Sequence, residues 1–121
     1  MQRFAVTLTH ALDDPDRATV GAVIANAAAA SGKTTLLFLS NEGVRLAQPG
    51  YAAKIDQEGF PPLAELLASL AENGATIMVC TPCAKVRGVD LADLIPGAAP
   101  GGGAGLVEFM TSDGGAASVS Y

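Results

Sequence analysis

A near-continuous apolar run in the first third of the chain constrains the fold most. Residues 34–40 read Thr-Thr-Leu-Leu-Phe-Leu-Ser, with no alternation of polar and apolar side chains. Such a run is typical of a strand in a parallel sheet, because helices then cover both of its faces. We therefore expect an α/β fold in which this strand is central.

Helical and strand patterns alternate along the rest of the chain, in the order strand, helix, strand, helix, strand, helix, strand. This alternation favours a mostly parallel sheet with right-handed crossovers and helices on both faces. The predicted strands cover residues 4–9, 34–40, 75–79 and 116–121, and the main predicted helices cover 15–30, 63–72, 81–87 and 106–110.

Capping residues predict where several of these helices begin. Asp13 or Asp14 is expected to cap the first helix, Asn41 a short helix that runs to residue 47, and Thr81 the helix after the third strand. Residues 96–105, rich in glycine and proline, predict a flexible stretch.

Length, charge and hydropathy limit the function classes. A chain of 121 residues fits one domain, residues 1–121. Its formal net charge of -5 argues against nucleic acid as a partner, since binding phosphates requires a basic surface. No apolar run approaches the roughly 18 residues that cross a membrane, and the amino terminus is too quickly polar for a signal peptide. We expect a cytoplasmic protein that does not enter membranes.

Cys80 and Cys83 form a C-x-x-C pair where the third predicted strand runs into a helix. A thiolate is the reactive form of cysteine, and the start of a helix lowers a cysteine pKa, as Lys85 or Arg87 would if either folded back. Two alternatives stay open. Both cysteines could be small buried hydrophobic residues, or they could bind zinc with further ligands from a carboxylate or a second subunit.

Other polar residues follow the strands at the same predicted edge of the sheet. Ligands of open parallel sheets collect outside the carboxyl ends of the strands, where His10, Ser40 and Cys80 should lie. The pKa of histidine suits proton transfer near neutral pH, although His10 could simply close its strand. We therefore predict Cys80, Cys83 and His10 as catalytic residues and Ser40, Thr81 and Arg87 as ligand-binding residues.

Residues 31–34, Ser-Gly-Lys-Thr, resemble the end of a phosphate-binding P-loop. However, Ala27 stands where the first glycine of that motif is required. The predicted order is also helix, turn, strand, whereas a P-loop needs strand, loop, helix. Nucleotide binding by this segment is not expected.

Three segments, in order, together resemble the DsrE/DsrF-like superfamily, including its YchN-like branch. Residues 10–18 are similar to the family's turn into the first helix, and residues 38–46 to its second strand and the glycine-valine turn that follows. Cys80, Cys83 and Arg87-Gly88-Val89 are similar to a pattern in which a cysteine ends strand three and Arg-Gly follows it. The glycine-rich residues 100–105 depart from the more strand-like segment of the family.

The resemblance implies a single-domain, mostly parallel sheet of about five strands. In sulfur-relay members the cysteine that matches Cys80 carries a persulfide, so the resemblance implies intracellular sulfur binding or transfer, with Cys83 as a resolving or supporting thiol. It further implies a homo-oligomer, a trimer or hexamer, and sulfur-donor and sulfur-acceptor proteins as partners. No cofactor and no metal are expected.

Two other functions remain open. A C-x-x-C pair near a βαβ unit is typical of a dithiol/disulfide redox switch, although thioredoxin itself is a poor match because the pair here follows the third strand. The chain could also be a non-enzymatic oligomeric protein that binds a small ligand or partner, with incidental cysteines.

Overall fold

Five strands and four α-helices account for most of residues 2–121, the part of the chain that the computed structural model describes. The strands are β1 (Arg3–Leu8), β2 (Thr34–Leu39), β3 (Thr76–Cys80), β4 (Ala98–Gly101) and β5 (Ala116–Ser120), and the helices are α1 (Pro15–Ala30), α2 (Leu63–Glu72), α3 (Thr81–Val86) and α4 (Gly103–Thr111). Two short 3-10 helices, Asn41–Ala47 and Ala52–Lys54, lie between β2 and α2.

The sheet has the strand order β4-β3-β2-β1-β5, and every pair of neighbouring strands is parallel. β2 lies in the middle, and all of its residues except Thr34 are buried. The expected α/β fold with a central second strand is confirmed, and the sheet is parallel throughout.

Helices α1 and α2 cover one face of the sheet. Four leucines of α2, Leu63, Leu66, Leu67 and Leu70, are buried there. α1 contributes alanines instead, and their small side chains let the helix backbone approach β1 and β2 closely. A hydrogen bond from the Asn26 amide to the Leu66 carbonyl, at 3.1 Å, joins the two helices.

Among residues 2–121, α4 is the helix that covers the opposite face. Ala5, Leu36 and Phe38 are buried beneath it, against Leu106 and Phe109. No residue of α4 is itself fully buried. Helices therefore lie on both faces, as expected, but their coverage is unequal.

The prediction of a flexible stretch over residues 96–105 is wrong. Residues 98–101 form the edge strand β4, which pairs with β3 from Ile77–Ala98 to Cys80–Gly101. An edge strand tolerates Pro100, because only one side of the strand must donate to the sheet. This strand completes the five that the family resemblance implies.

Two of the predicted helix caps are also wrong. Asp14 does cap α1, since its carboxylate accepts from the Arg17 N–H at 3.2 Å. Asn41, however, lies inside its 3-10 helix with a φ of 54°, and Ser40 takes the cap position. Likewise Cys80 takes the cap position of α3, and Thr81 is the first residue of that helix.

The Ser-Gly-Lys-Thr segment lies between the end of α1 and the start of β2, as predicted. Gly32 has a φ of 81°, and the chain then enters the strand at Thr34. The segment therefore precedes a strand rather than a helix and lacks the context of a phosphate-binding loop.

Candidate functional site

The two cysteines lie together at the carboxyl end of β3. Cys80 is the last residue of the strand and Cys83 lies in the first turn of α3, and both are free and partly exposed. Residues three apart on a helical turn are neighbours on its surface. The structure therefore places the predicted pair at one end of β3, and a hydrogen bond between the two thiols shifts the pKa of both.

Cys83 has the environment of a thiolate. The hydrogen bond from the Cys80 thiol is the main cause that lowers the pKa of Cys83, and burial opposes it. The backbone N–H of Asn41 donates to the Cys83 sulfur, and the positive charge of Arg87 acts in the same direction. Because these donors favour the charged form, the pKa of Cys83 lies below the ordinary thiol value.

Cys80 has the opposite tendency. Burial raises the pKa of its thiol, and the hydrogen bond that it donates to Cys83 raises it further. The Cys83 N–H and the charge of Arg87 only partly offset these effects. The pKa of Cys83 therefore lies below that of Cys80. The family resemblance favours Cys80 as the persulfide carrier, and that assignment stays a prediction.

An ion-pair network holds Arg87 beside the thiols. Its Nε donates to Glu42 at 2.5 Å, and one terminal nitrogen donates to the Cys83 carbonyl at 3.3 Å. The second carboxylate oxygen of Glu42 accepts from Arg45 Nε at 2.8 Å. Two guanidinium groups therefore share one carboxylate, which leaves one net positive charge in this network.

Gly43 allows Asn41 and Glu42 to reach α3. The 3-10 helix Asn41–Ala47 crosses the end of β1 so closely that a Cβ atom at Gly43 would overlap the Leu8 carbonyl oxygen. Only glycine fits there without a shift of the backbone. The close crossing brings a donor and a carboxylate from the end of β2 to the cysteines at the end of β3.

Ser40 lies at the same edge of the sheet. The register pairs Leu39 of β2 with Val79 of β3, so Ser40 and Cys80 each follow that pair by one position. Its backbone N–H donates to the Leu8 carbonyl at 3.1 Å. A ligand contact by the Ser40 side chain stays a prediction.

His10 lies apart from the cysteines. It follows β1, two strands from β3, which corresponds to roughly 10 Å along the edge of a sheet. Its Nδ1 is 2.7 Å from the Asp13 carboxylate, which also accepts from the Ala11 N–H at 2.7 Å. Burial raises the pKa of Asp13, but these two partners outweigh it and hold the pKa below the ordinary value. A role for His10 as a base stays a prediction.

Thr81 joins two strands. Its hydroxyl donates to the Gly101 carbonyl at 2.8 Å, which ties the end of β3 to the end of β4. This contact gives Thr81 a structural role beside the cysteines, while its predicted ligand contact stays untested.

The sequence did not identify Asn41, Glu42 or Arg45 as site residues. Only 33% of the Arg45 side chain is exposed. Its pairing with Glu42 could be predicted from the sequence, because residues three apart on a helix are neighbours. The ion pair between Glu42 and Arg87 joins residues 45 positions apart, and no sequence pattern predicts it.

Two further findings describe the rest of residues 2–121. No group of three or more His, Cys, Asp and Glu side chains there is arranged to hold a metal ion. None of its helices is both long enough and apolar enough to cross a bilayer.

An apolar groove of about 270 Å³ lies elsewhere, between α2 and the segment that follows the first 3-10 helix. Leu67, Ala71 and Ile95 contribute to its lining. Neither cysteine lines this groove, so it is separate from the thiol site.

The structure therefore defines a parallel α/β domain with two free cysteines at the end of its third strand. Residues 2–115 match the DsrE/DsrF-like family, and the chain belongs to that family. The resemblance inferred from the three sequence segments is thus confirmed.

Two archaeal relatives are similar over most of the chain. An uncharacterised protein of Methanocaldococcus jannaschii is 37% identical over 98 residues, which cover 79% of this chain and 81% of the relative. An uncharacterised protein of Methanopyrus kandleri is 32% identical over 92 residues, which cover 76% and 73% of the two chains.

Solved structures share the fold. The YchN protein of E. coli matches with a TM-score of 0.83 at 19% identity, over 100% of both chains. A protein of unknown function from Methanobacterium thermoautotrophicum matches with a TM-score of 0.69 at 17% identity, also over 100% of both chains. These likenesses confirm a YchN-like fold.

Proposed function

We propose that this protein binds and transfers sulfane sulfur, which it holds as a persulfide on the Cys80–Cys83 pair. The placement of two free, partly exposed cysteines three residues apart at the end of β3 is the observation that carries the proposal. Membership in the DsrE/DsrF-like family supports it.

The chemistry is attack of a thiolate on the outer sulfur of a persulfide donor. A bond forms between the cysteine sulfur and the sulfane sulfur, the sulfur–sulfur bond of the donor breaks, and the donor leaves as a thiol. An acceptor thiol then repeats this exchange and removes the sulfur. The expected partners are therefore a sulfur-donor and a sulfur-acceptor protein.

Arg87 would stabilise the loaded state as well as the resting thiolate. A persulfide anion places negative charge one sulfur atom beyond the cysteine, and Arg87 is held at this site by Glu42 and the Cys83 carbonyl. A fixed positive charge favours an anion that forms next to it.

Intact mass spectrometry tests the proposal. The reduced protein is treated with glutathione persulfide, desalted and weighed, in parallel with Cys80→Ser, Cys83→Ser and the double variant. We expect added sulfur on the wild type and none on the double variant. Equal addition to the double variant, or no reaction of the wild type, would contradict sulfur binding by this pair.

A dithiol/disulfide switch is the second candidate. Two free cysteines three residues apart on one turn are spaced for a disulfide. A redox titration with glutathione tests it. If the pair forms no reversible disulfide across the cytosolic range of potentials, a redox switch is ruled out.

We also propose a cytoplasmic homo-oligomer, a trimer or hexamer. The thin cover of the α4 face supports assembly, since Val107 is 60% exposed there next to partly buried apolar side chains. Light scattering of the purified protein tests the stoichiometry. A monomeric mass would contradict it.

The third candidate is a non-enzymatic binding protein. Normal cellular behaviour of Cys80→Ala, together with an unreactive Cys80 thiol in the wild type, would favour this candidate over the other two.

A further inference from the structure

We propose that the carboxyl end of β3 is also a binding site for Cu(I), with the thiolates of Cys80 and Cys83 and the thioether of Met78 as its ligands. Thiolate and thioether sulfur are the soft ligands that select Cu(I). The two thiols release their protons to solvent when the metal binds, and no sulfur–sulfur bond forms or breaks. The inference therefore goes beyond sulfur transfer, and a bound metal would exclude a sulfane sulfur from the same thiols.

Met78 and Cys80 lie on the same face of β3, because side chains two residues apart on a strand point the same way. Both pack against the cluster beneath α4 that contains Leu36 and Phe38. The strand itself therefore presents a thioether and a thiol to one side of the sheet.

Two glycines let the Met78 side chain reach towards Cys80. Met78 pairs with Ala99 in the sheet, yet its Sδ lies against Gly101, two residues nearer the carboxyl end of β4. A Cβ atom at Gly101 would be 2.6 Å from this Sδ, and one at Gly105 would be 3.0 Å from it. Gly101 is the register partner of Cys80. The thioether therefore bends along the strand to the level of Cys80.

Cys83 comes to the same place from the first turn of α3. Cys80 contacts the core clusters on both sides of the sheet, and Cys83 packs against the larger of the two, beneath α1 and α2. The Thr81 hydroxyl donates to the Gly101 carbonyl at 2.8 Å, which fixes the start of α3 against the end of β4. Both cysteines are free and partly exposed, so a metal ion can reach them from solvent.

The charge beside the cysteines suits a thiolate complex of Cu(I). Two thiolates and one Cu(I) carry a single negative charge. Arg87 is held at this site through the Cys83 carbonyl, at 3.3 Å, and through Glu42. Since Arg45 shares the same carboxylate, the network keeps one net positive charge. A fixed positive charge favours an anion beside it.

The set of ligands fits Cu(I) better than zinc. A structural zinc site takes four ligands, usually thiolate or imidazole. Within residues 2–121, no three His, Cys, Asp or Glu side chains are grouped to hold a metal ion, and His10 follows β1, two strands from the cysteines. Two thiolates and a thioether instead form an all-sulfur set, which selects a soft monovalent ion.

Competition for Cu(I) tests the inference. The reduced protein is titrated, without oxygen, into Cu(I) held by bicinchoninate, whose colour fades as the protein takes the metal. We expect the wild type to bind one Cu(I). Loss of a thiolate should weaken binding at least about a hundredfold in Cys80→Ser and Cys83→Ser, and loss of the thioether about tenfold in Met78→Leu.

Met110→Leu is the matched control. Met110 packs against the same cluster, but it lies near the end of α4, beside Arg3 at the opposite edge of the sheet. Leucine replaces methionine with little change in volume, so both methionine variants should fold. Met110→Leu should bind Cu(I) as tightly as the wild type. X-ray absorption of the loaded proteins should find three sulfur neighbours in the wild type and two in Met78→Leu.

Three outcomes would overturn the inference. The first is a folded wild type with both thiols reduced that takes no Cu(I) from bicinchoninate. The second is equal affinity of the wild type and the cysteine variants, which would put the metal elsewhere. The third is a Met78→Leu variant that matches Met110→Leu in affinity and in its sulfur neighbours. Sulfur loading is measured separately by mass, so none of these outcomes decides the proposed function.

Discussion

The carboxyl ends of β1 and β3 lie on the same edge of the sheet, and each is followed by a residue that could do chemistry. After β1, His10 pairs with Asp13, three residues along the chain. After β3, Cys83 accepts from Asn41 of another element, and its neighbour Arg87 pairs with Glu42. The first site is made by a local turn and the second by two segments that are distant in sequence, residues 41–42 and 80–87.

This difference shows that a residue's place at the edge of the sheet and the activation of its side chain are separate matters. The edge rule for parallel sheets predicts where ligands bind, and it applies to both ends equally. Only at the end of β3 do charges and N–H groups from distant segments act on a nucleophile. This long-range support, rather than position alone, is our reason for proposing the end of β3 as the functional site.

A substitution at Gly43 tests whether the 3-10 helix Asn41–Ala47 must pass close to the end of β1 to reach the cysteines. A Gly43→Ala substitution puts a Cβ on the Leu8 carbonyl oxygen and should destabilise the protein by about 3 kcal/mol, the upper range for overpacking. Urea unfolding measures this loss. Gly103→Ala is the matched control, because open space surrounds that position and its expected effect is within about 0.5 kcal/mol. Equal stability of the two variants would contradict the crossing.

The Arg87→Gln substitution tests whether the positive charge of Arg87 lowers the pKa of the thiols. Arg87→Gln removes the positive group that lowers the pKa of both thiols, so alkylation of Cys83 by iodoacetamide at pH 7 should slow by about tenfold. Arg17→Gln, at the exposed start of α1, should leave the rate unchanged. If both variants react as fast as the wild type, Arg87 does not activate the pair.

The Glu42→Gln substitution should have the opposite effect on the pKa of Cys83, because it leaves the positive charge of Arg87 less neutralised. Its carboxylate offsets part of the Arg87 charge, whereas the amide of Glu42→Gln can still accept a hydrogen bond. The pKa of Cys83 should fall, so alkylation at pH 7 should accelerate by about threefold. A slower rate would show that Glu42 acts mainly by positioning Arg87. Combining this change with Arg87→Gln should abolish the acceleration.

His10 gives the smallest expected effect. His10→Gln removes a group two strands from the cysteines and should change sulfur loading and Cys83 alkylation by less than about twofold. A general base contributes at least about a hundredfold. A loss of that size, measured on the folded variant, would show that the end of β1 does take part.

Most of the fold could be predicted from the sequence because its signals are local. The apolar run of β2, the leucine spacing of α2 and the alternation of elements gave a parallel α/β sheet. Edge strand β4 was missed because its composition, Ala-Ala-Pro-Gly, has no β-forming residue. Its pairing depends on contact with β3, and Gly101 leaves room for the Met78 side chain.

The candidate site was predictable only in part. Spacing and placement identified Cys80 and Cys83, and they also made Arg87 a candidate neighbour of the thiols. The roles of Asn41 and Glu42 depend on a 3-10 helix that passes from the end of β2 across the ends of its neighbouring strands. No pattern in the local sequence predicts that path. The order in which the thiols ionise likewise depends on hydrogen bonds across the fold.

The most direct test is the pH dependence of alkylation at each cysteine of the reduced wild type. The protein is labelled briefly with iodoacetamide from pH 5 to 10, and peptide mapping resolves the two sites. We predict that Cys83 reacts first, with a midpoint below that of Cys80 and below that of an ordinary thiol. Earlier labelling of Cys80, or two midpoints equal to that of a free thiol, would contradict the division of roles within the pair.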